Sequence, residues 1–308
     1  MNYVSQYTDF ETFANIGEYK INFPEPPPDK SIINYGLPAE QQKITRSKYK
    51  ISGKWMYASD ISKAIWNRLP EYQKDEIEKV EWDRRWNGQW YFNKGKKIFV
   101  PENQYFFLNY FDLGGYYGDW WDSQWFDFLL LKHAFDHGYG LGVFKVKGRR
   151  GGSTAVANSS TLDLATKFEN VQAGMMNKNK PEAKEINFDP IVYATNKLPA
   201  FMAPVRSGNT WPTETLRFYP PSKTATHKKL REETEELDDS ALHSLIDYIA
   251  TSTVGYDGRK KIMLLMDEIG KWKDVSPKTA IEIQKLCCQD GAEKFGILYG
   301  FSSVEEIS

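Results

Sequence analysis

The chain has little of what would mark it for export or for a metal framework. Cysteine occurs only as the neighbours Cys287 and Cys288. Adjacent cysteines bridge only through a strained ring, so no disulfide framework is available, and two neighbours with no third partner do not make a zinc site. Histidine occurs four times, with His133 and His137 at i, i+4. No Glu follows His133 as a zincin helix requires, so the pair reads as solvated or at the edge of the core. Net charge is almost absent, since 40 Lys and Arg against 41 Asp and Glu leave −1. That excludes a strongly basic coat for nucleic acid but not a local basic patch. No apolar run reaches the roughly 18 residues of a membrane span. The opening MNYVSQYTDFETFANIGEYK lacks the basic-then-apolar order of a secretory signal. These absences lead to the expectation of a soluble protein of a reducing, intracellular compartment.

What the chain does have is rings. Aromatics are 15% of 308 residues and hydrophobics 41%, enough for a sizeable core in one large domain or two ordinary ones. Pro24, Pro26, Pro27 and Pro28 predict an extended arm. Residues 56–82 read as helical, capped by Ser59 or Asp60 and broken at Pro70. Residues 86–111 are aromatic and short in period, with Gly95 and Lys96 at a hairpin tip. Residues 120–137 carry rings and leucines at helical spacing. After residue 140 the pattern alternates. A short β-type run at 142–147 leads through a glycine-rich turn into a helix, and 180–198 reads as helical. A strand is expected at 215–219, and a solvated charge run at 228–240. An amphipathic helix is expected over 241–253, capped by Asp238, Asp239 or Ser240. Strands near 261–266 and 295–299 complete a mostly parallel sheet with helices on both faces.

Three elements carry chemistry. The first is Gly148-Arg149-Arg150-Gly151-Gly152-Ser153-Thr154. Glycines let backbone N–H groups approach an anion, and the following helix points its positive end at it. The usual GxxxxGK[ST] pattern is not met, because no Lys precedes the hydroxyl residues. Two registers are open, with either Ser153 or Thr154 as the metal-binding hydroxyl; the alternative is a glycine-rich turn with no ligand. The second element is Lys261–Glu268, an apolar run ending in two acids. Carboxylates do not belong inside a parallel sheet, so they mark its carboxyl edge, where ligands sit. Asp267 would hold Mg²⁺ through its waters and Glu268 would polarise the attacking water; the alternative is an exposed pair of acids in a strand-end turn. The third is Phe295–Ser303, an apolar strand ending in small polar residues, compatible with sensing a γ-phosphate or with a plain turn.

In this order the three elements resemble the ATPase domain of the large terminase subunit, the DNA-packaging motor of tailed bacteriophages. The run from Arg149 to Thr154 is similar to the RRxGx[ST]-like loops of such proteins, which favours the register with Thr154 as the hydroxyl. DEIGKW (267–272) looks like their DEAGKF-type acidic motif. GFSS stands where they carry the coupling motif, which marks Gly300, Ser302 and Ser303. ENQYFFLNYF (102–111) resembles the segment where they contact adenine, which marks Gln104 and Tyr105. The likeness spans roughly residues 85–305. It implies a P-loop NTPase of ASCE type over residues 81–308, behind an N-terminal arm and helical region at 1–80. It further implies ATP and Mg²⁺ as cofactors, with hydrolysis driving double-stranded viral DNA into a procapsid. The partners would be the portal protein, the small terminase subunit and further copies in a pentameric ring, at the portal vertex in the cytoplasm of the infected host and away from any membrane. The chain ends five residues after Ser303, so the nuclease domain that follows in such proteins has no room here. Without a loop lysine, Arg149 and Arg150 are the expected phosphate cations. The alternatives are a helicase-like ATPase or a nucleotide-binding scaffold that does not hydrolyse.

Overall fold

The computed structural model describes residues 13–16, 19–137, 142–148, 151–220, 241–273 and 275–303. The N-terminal part is built from short hairpins and helices. Strands β1 (Phe13–Ile16) and β2 (Tyr19–Asn22) pair, as do β3 (Lys48–Ile51) and β4 (Lys54–Tyr57). The single turn α1 (Lys63–Trp66) and the long α2 (Glu71–Asn87) follow. The helical region expected over 56–82 is therefore split at both ends. Ser62, and neither Ser59 nor Asp60, caps α1 by accepting the Ile65 N–H at 3.3 Å, while Ser59 and Asp60 sit in a 3₁₀ turn. Pro70 stands just before α2, where its missing N–H costs nothing.

Strands β5 (Gln89–Asn93) and β6 (Lys96–Val100) form the expected hairpin. Its two turn residues are Lys94 and Gly95, with φ of 51° and 81°, as a tight turn between right-twisted strands requires. The aromatic run beyond it is the helix α3 (Glu102–Tyr110), not a strand. Pro101 starts it and Glu102 sits in its first turn. Its rings pack inward with those of α4 (Asp122–His137), the helix expected at 120–137.

The second half is a six-stranded sheet. β7 (Gly142–Lys147) runs into α5 (Ser153–Lys167), then β8 (Gln172–Asn177), the single turn α6 (Lys180–Glu182), a π turn at Ala183–Phe188 and α7 (Asp189–Lys197). β9 (Thr215–Phe218), β10 (Ser244–Ala250), β11 (Met263–Asp267), α8 (Pro277–Gln284), the two-residue pair β12 (Gln289–Asp290) and β13 (Glu293–Lys294), and β14 (Ile297–Ser303) complete it. The spatial order is β7-β14-β11-β8-β10-β9. All pairings are parallel except that of β9 with β10. One strand, β14, lies between the strand that feeds the glycine-rich turn and the strand that ends in acids, the ASCE arrangement of a P-loop α/β fold.

β10 occupies the stretch read as an amphipathic helix over 241–253. Its burial alternates, with Ile246 and Tyr248 inward, and pairing with β8 over Leu245–Ala250 and with β9 over Ser244–Asp247 leaves no room for a helical turn. The proposed caps Asp238, Asp239 and Ser240, with the charge run 228–240, lie outside the described residues. β8 corresponds to no expected element.

The sheet is covered on both faces. Met263 and Leu265 of β11 join α5 in the main core, while Leu264 and Met266 join Trp272, Cys287 and Cys288 in a second cluster. The two clusters alternate residue by residue, as a strand buried on both sides must. The main core also takes in Ile51, Ala58, Ile61, Leu69 and Ile77, so the aromatic N-terminal region packs directly on the sheet domain. Two buried polar centres hold α2, the first within the N-terminal part and the second across to the sheet half. Glu81 of α2 accepts from Ser47, Tyr49 and Arg84 on one oxygen and from Tyr105 and Tyr110 on the other. Arg85, fully buried, donates to the Asp163 carboxylate of α5 at 2.8 Å and to Thr166 at 2.6 Å.

Candidate functional site

Parallel pairing brings four strand ends to one edge. Lys147 of β7 pairs with Ser303 of β14, and Phe301 of β14 pairs with Asp267 of β11. Met266 pairs with Met176, which sets Asn177 at the level of Asp267. The residues singled out in three separate stretches of sequence thus meet at the carboxyl edge, where a sheet of this kind opens a crevice.

The glycine-rich turn delivers the helix α5. Gly152 is its N-cap, with φ 74° in the left-handed region, and contributes no side-chain cap. The first-turn amides at Ser153, Thr154 and Ala155 therefore have no intrahelical acceptor and face outward with the positive end of the helix dipole. Gly148 and Gly151 flank the turn, and Arg149 and Arg150 lie outside the described residues. A Cβ on Gly152 would come within 2.2 Å of the Gln124 side-chain amide, so α4 presents Gln124 directly to the turn.

Of the two hydroxyls, Thr154 meets the acid: its Oγ1 lies 3.3 Å from Asp267 Oδ2. Ser153 is buried, and its hydroxyl has no partner among the described residues. Only Thr154 of the two is therefore placed beside the acid. Asp267 is 1% exposed. Burial, helped by the neighbouring Glu268 charge, pushes its carboxyl above the ordinary range, against the opposing pull of Asn187, Lys147 and Thr154. Its second oxygen, Oδ1, is buried with no partner among the described residues.

Glu268 follows with φ 51° and ψ 38°. This left-handed conformation is rare for a residue with a long side chain and costs on the order of 1–3 kcal/mol. It turns the carboxylate away from Asp267 and toward β14 and β7. Ser303 donates to it from its hydroxyl at 3.1 Å and from its backbone N–H at 3.4 Å. Lys271 lies 3.0 Å from one oxygen and Lys147 lies 3.8 Å from the other. Partial burial works to raise its pKa, but Lys271, the Ser303 amide and the Lys147 charge outweigh it and hold the carboxyl below its usual range. Of the coupling residues, Ser303 therefore touches Glu268. Gly300 lies under the Phe144 ring, and Ser302 crowds Gly270.

The segment marked for adenine behaves differently. Gln104 and Tyr105 are both fully buried. The Tyr105 hydroxyl is engaged by Glu81 at 2.6 Å, and both side-chain amide atoms of Gln104 are enclosed without a partner among the described residues. The polar group that reaches the turn is Gln124, beside the half-exposed Trp121.

The sequence reading missed Lys147, Gln124 and Asn187. Lys147 immediately precedes Gly148, so a lysine on the far side of the turn was in plain view once the usual position proved empty. Its side chain is 11% exposed and its ammonium lies 4.3 Å from the centre of the Phe301 ring. Gln124 was hidden within a helix read as core. Asn187, which donates to Asp267 at 3.1 Å, had no sequence signal.

The donor set fits a magnesium nucleotide. Open first-turn amides suit phosphate, and one hydroxyl beside one carboxylate leaves the remaining Mg²⁺ positions to phosphate oxygens and water. Asp267 Oδ1, without a partner among the described residues, would be free to accept from such a water. Among the described residues no group of three or more His, Cys, Asp or Glu gathers as a separate metal cage, and no helix is long and apolar enough to cross a membrane. His133 and His137 stack ring on ring at 4.3 Å.

No protein-family model matches this sequence, and no curated protein matches it. Among solved structures, the crystal structure of the HK97 bacteriophage large terminase is similar at 15% identity with a TM-score of 0.43. The match covers 64% of this chain and 36% of that one, so this chain spans about a third of that protein.

Proposed function

We propose that the chain is an ATPase motor domain that hydrolyses ATP and uses the energy to move double-stranded viral DNA into a procapsid. The observation that carries the hydrolase part is the meeting of Thr154 with Asp267 at 3.3 Å, with Glu268 next in the chain and the open end of α5 alongside. The DNA, the portal protein, the small terminase subunit, the pentameric ring and the portal-vertex location in the host cytoplasm rest on the motif resemblance alone.

In this reading the amides from Gly151 to Thr154 hold the β- and γ-phosphates, and Gln124 with Trp121 receives the base. Thr154 and Asp267 hold the Mg²⁺, which when bound neutralises phosphate charge. Glu268 orients the water for in-line attack. Held ionised by its neighbours, it presents a charged carboxylate that orients this water and polarises it by accepting its proton. Ser303 and Lys271 fix its direction. Lys147 supplies the cation that the turn lacks at the usual lysine position, joined by Arg149 and Arg150 where they reach the phosphates.

Phosphate release from ATP tests the hydrolase reading. Mg²⁺-dependent release that disappears in Asp267→Asn supports it. Nucleotide binding without release by the parent chain would establish the scaffold alternative instead. The packaging reading is tested separately by ATP-dependent protection of DNA from nuclease in the presence of procapsids; hydrolysis with no protection would leave a nucleic-acid ATPase of another kind.

A further inference from the structure

Behind Asp267 runs a line of carboxamides that the nucleotide reading does not use. Asn158, Asn177 and Asn187 are each 2% exposed or less. Their orientations are set in sequence. The backbone N–H of Lys178 donates to Asn177 Oδ1 at 2.8 Å, so the Asn177 amide nitrogen must point onward. It donates to Asn187 Oδ1 at 3.0 Å. That leaves the Asn187 nitrogen as the donor to Asp267 Oδ2 at 3.1 Å, with a second, longer contact to Asn158 Oδ1 at 3.4 Å. A carboxamide has one accepting and one donating end, so an amide at the end of β8 dictates what Asp267 receives.

The backbone is shaped for this contact. Asn187 lies in the π turn Ala183–Phe188, where the Asp189 N–H donates five residues back, to the Lys184 carbonyl. An α-helix advances about 100° per residue, so without the extra residue of the wide turn Asn187 would face elsewhere. Asn158, one turn along α5 from Thr154, donates to the Ile186 carbonyl at 2.9 Å and ties the wide turn to the helix that carries the metal hydroxyl. Wide turns of this type concentrate at functional sites.

We propose that Asn187 is a positioning residue for the magnesium site. Held by Asn177 and Asn158, it pins Asp267 Oδ2 and leaves Oδ1 as the acceptor for a magnesium-bound water. The inference rests on the nucleotide reading above and adds to it a residue that touches neither nucleotide nor metal. Partners one step removed from a metal set its affinity, and their loss costs about 10–100-fold.

The test is the Mg²⁺ dependence of binding a fluorescent, non-hydrolysable ATP analogue, read by anisotropy at equilibrium. In Asn187→Leu, similar in size but without a donor, the Mg²⁺ midpoint is expected to rise by about tenfold or more, while binding of the analogue in EDTA stays at the parent level. Asn177→Ala, which frees Asn187 without touching Asp267, is expected to raise the midpoint less. Loss of folded protein raises the midpoint only by the reciprocal of the folded fraction, so in a variant that urea titration shows to be mostly folded a merely structural role predicts no tenfold shift. An unchanged midpoint in folded Asn187→Leu would overturn the inference. If that variant does not fold, an unchanged midpoint in Asn177→Ala would do so. Absence of any Mg²⁺-dependent binding by the parent chain would overturn the nucleotide reading and the inference together.

Discussion

Glu81 and Asp267 are both carboxylates removed from water, at 0% and 1% exposure, yet they are treated in opposite ways. Glu81 is saturated, with three tyrosine hydroxyls, one serine hydroxyl and Arg84 on its two oxygens. Asp267 has one oxygen shared by Thr154 and Asn187 and the other with no partner among the described residues. Burying an acceptor unsatisfied costs about 1–3 kcal/mol. Among the described residues one acid has every need met and the other is left short, the contrast expected if the first holds structure together and the second, as proposed, receives a ligand.

That contrast is open to direct challenge. The largest effect is expected at Glu268, beside the unsaturated acid. Glu268→Gln should lower phosphate release by about 10²–10⁴-fold while fluorescent nucleotide still binds; near-parent turnover would remove Glu268 from the reaction. Next is the saturated acid. Glu81→Ala strands the hydroxyls of the fully buried Tyr105 and Tyr110 and should cost about 3 kcal/mol in urea unfolding, with the Mg²⁺ midpoint of nucleotide binding unmoved. Asp267→Asn should do the reverse. Mg²⁺-dependent binding should weaken by about tenfold or more, while the urea midpoint holds or rises, because a neutral group replaces a charge that burial disfavours. A variant at either acid that lost stability and magnesium response together would erase the distinction.

The smallest effect concerns pH. Asp267 is raised above its ordinary value of 3.8 in the folded chain. Between those two values the folded state binds the proton more tightly, so stability falls as pH rises through that window. Glu268 is held below its ordinary 4.5, so its contribution is present above that value and is lost as pH falls through the lower, folded one. Thermal midpoints measured across the acidic range should show the first slope vanish in Asp267→Asn and the second vanish in Glu268→Gln.

Much of the site was legible because its chemistry is written in short contiguous runs. The turn from Gly148 to Thr154, the acids at the end of β11 and the serines at the end of β14 each announce a strand end, and parallel pairing brings strand ends together. Two strands, β8 and β10, were less visible, although β9 beside them was expected at 215–219. β10 carries Leu245, Ile246, Tyr248 and Ile249 in a spacing that satisfies a helix as well as a strand, and only pairing on both edges decides between them. β8 is glycine and methionine in its middle, residues with no strand signature. Asn187 was invisible for a different reason. Its direction depends on a wide turn, and an i to i−5 hydrogen bond leaves no periodic mark in the sequence. The arginines of the turn fall outside the described residues, and Lys147 was overlooked because the usual pattern places its lysine after the glycines.

The Arg85–Asp163 pair has a mechanical side. Both side chains are almost wholly enclosed, and the guanidinium grips the α5 backbone as well, at the Asp163 carbonyl, 3.1 Å away. The aromatic N-terminal region is thus fastened to the helix behind the glycine-rich turn at both a side chain and a backbone atom. A shift of α2 relative to α5 would have to break or carry with it the Arg85 contacts to Asp163 and Thr166.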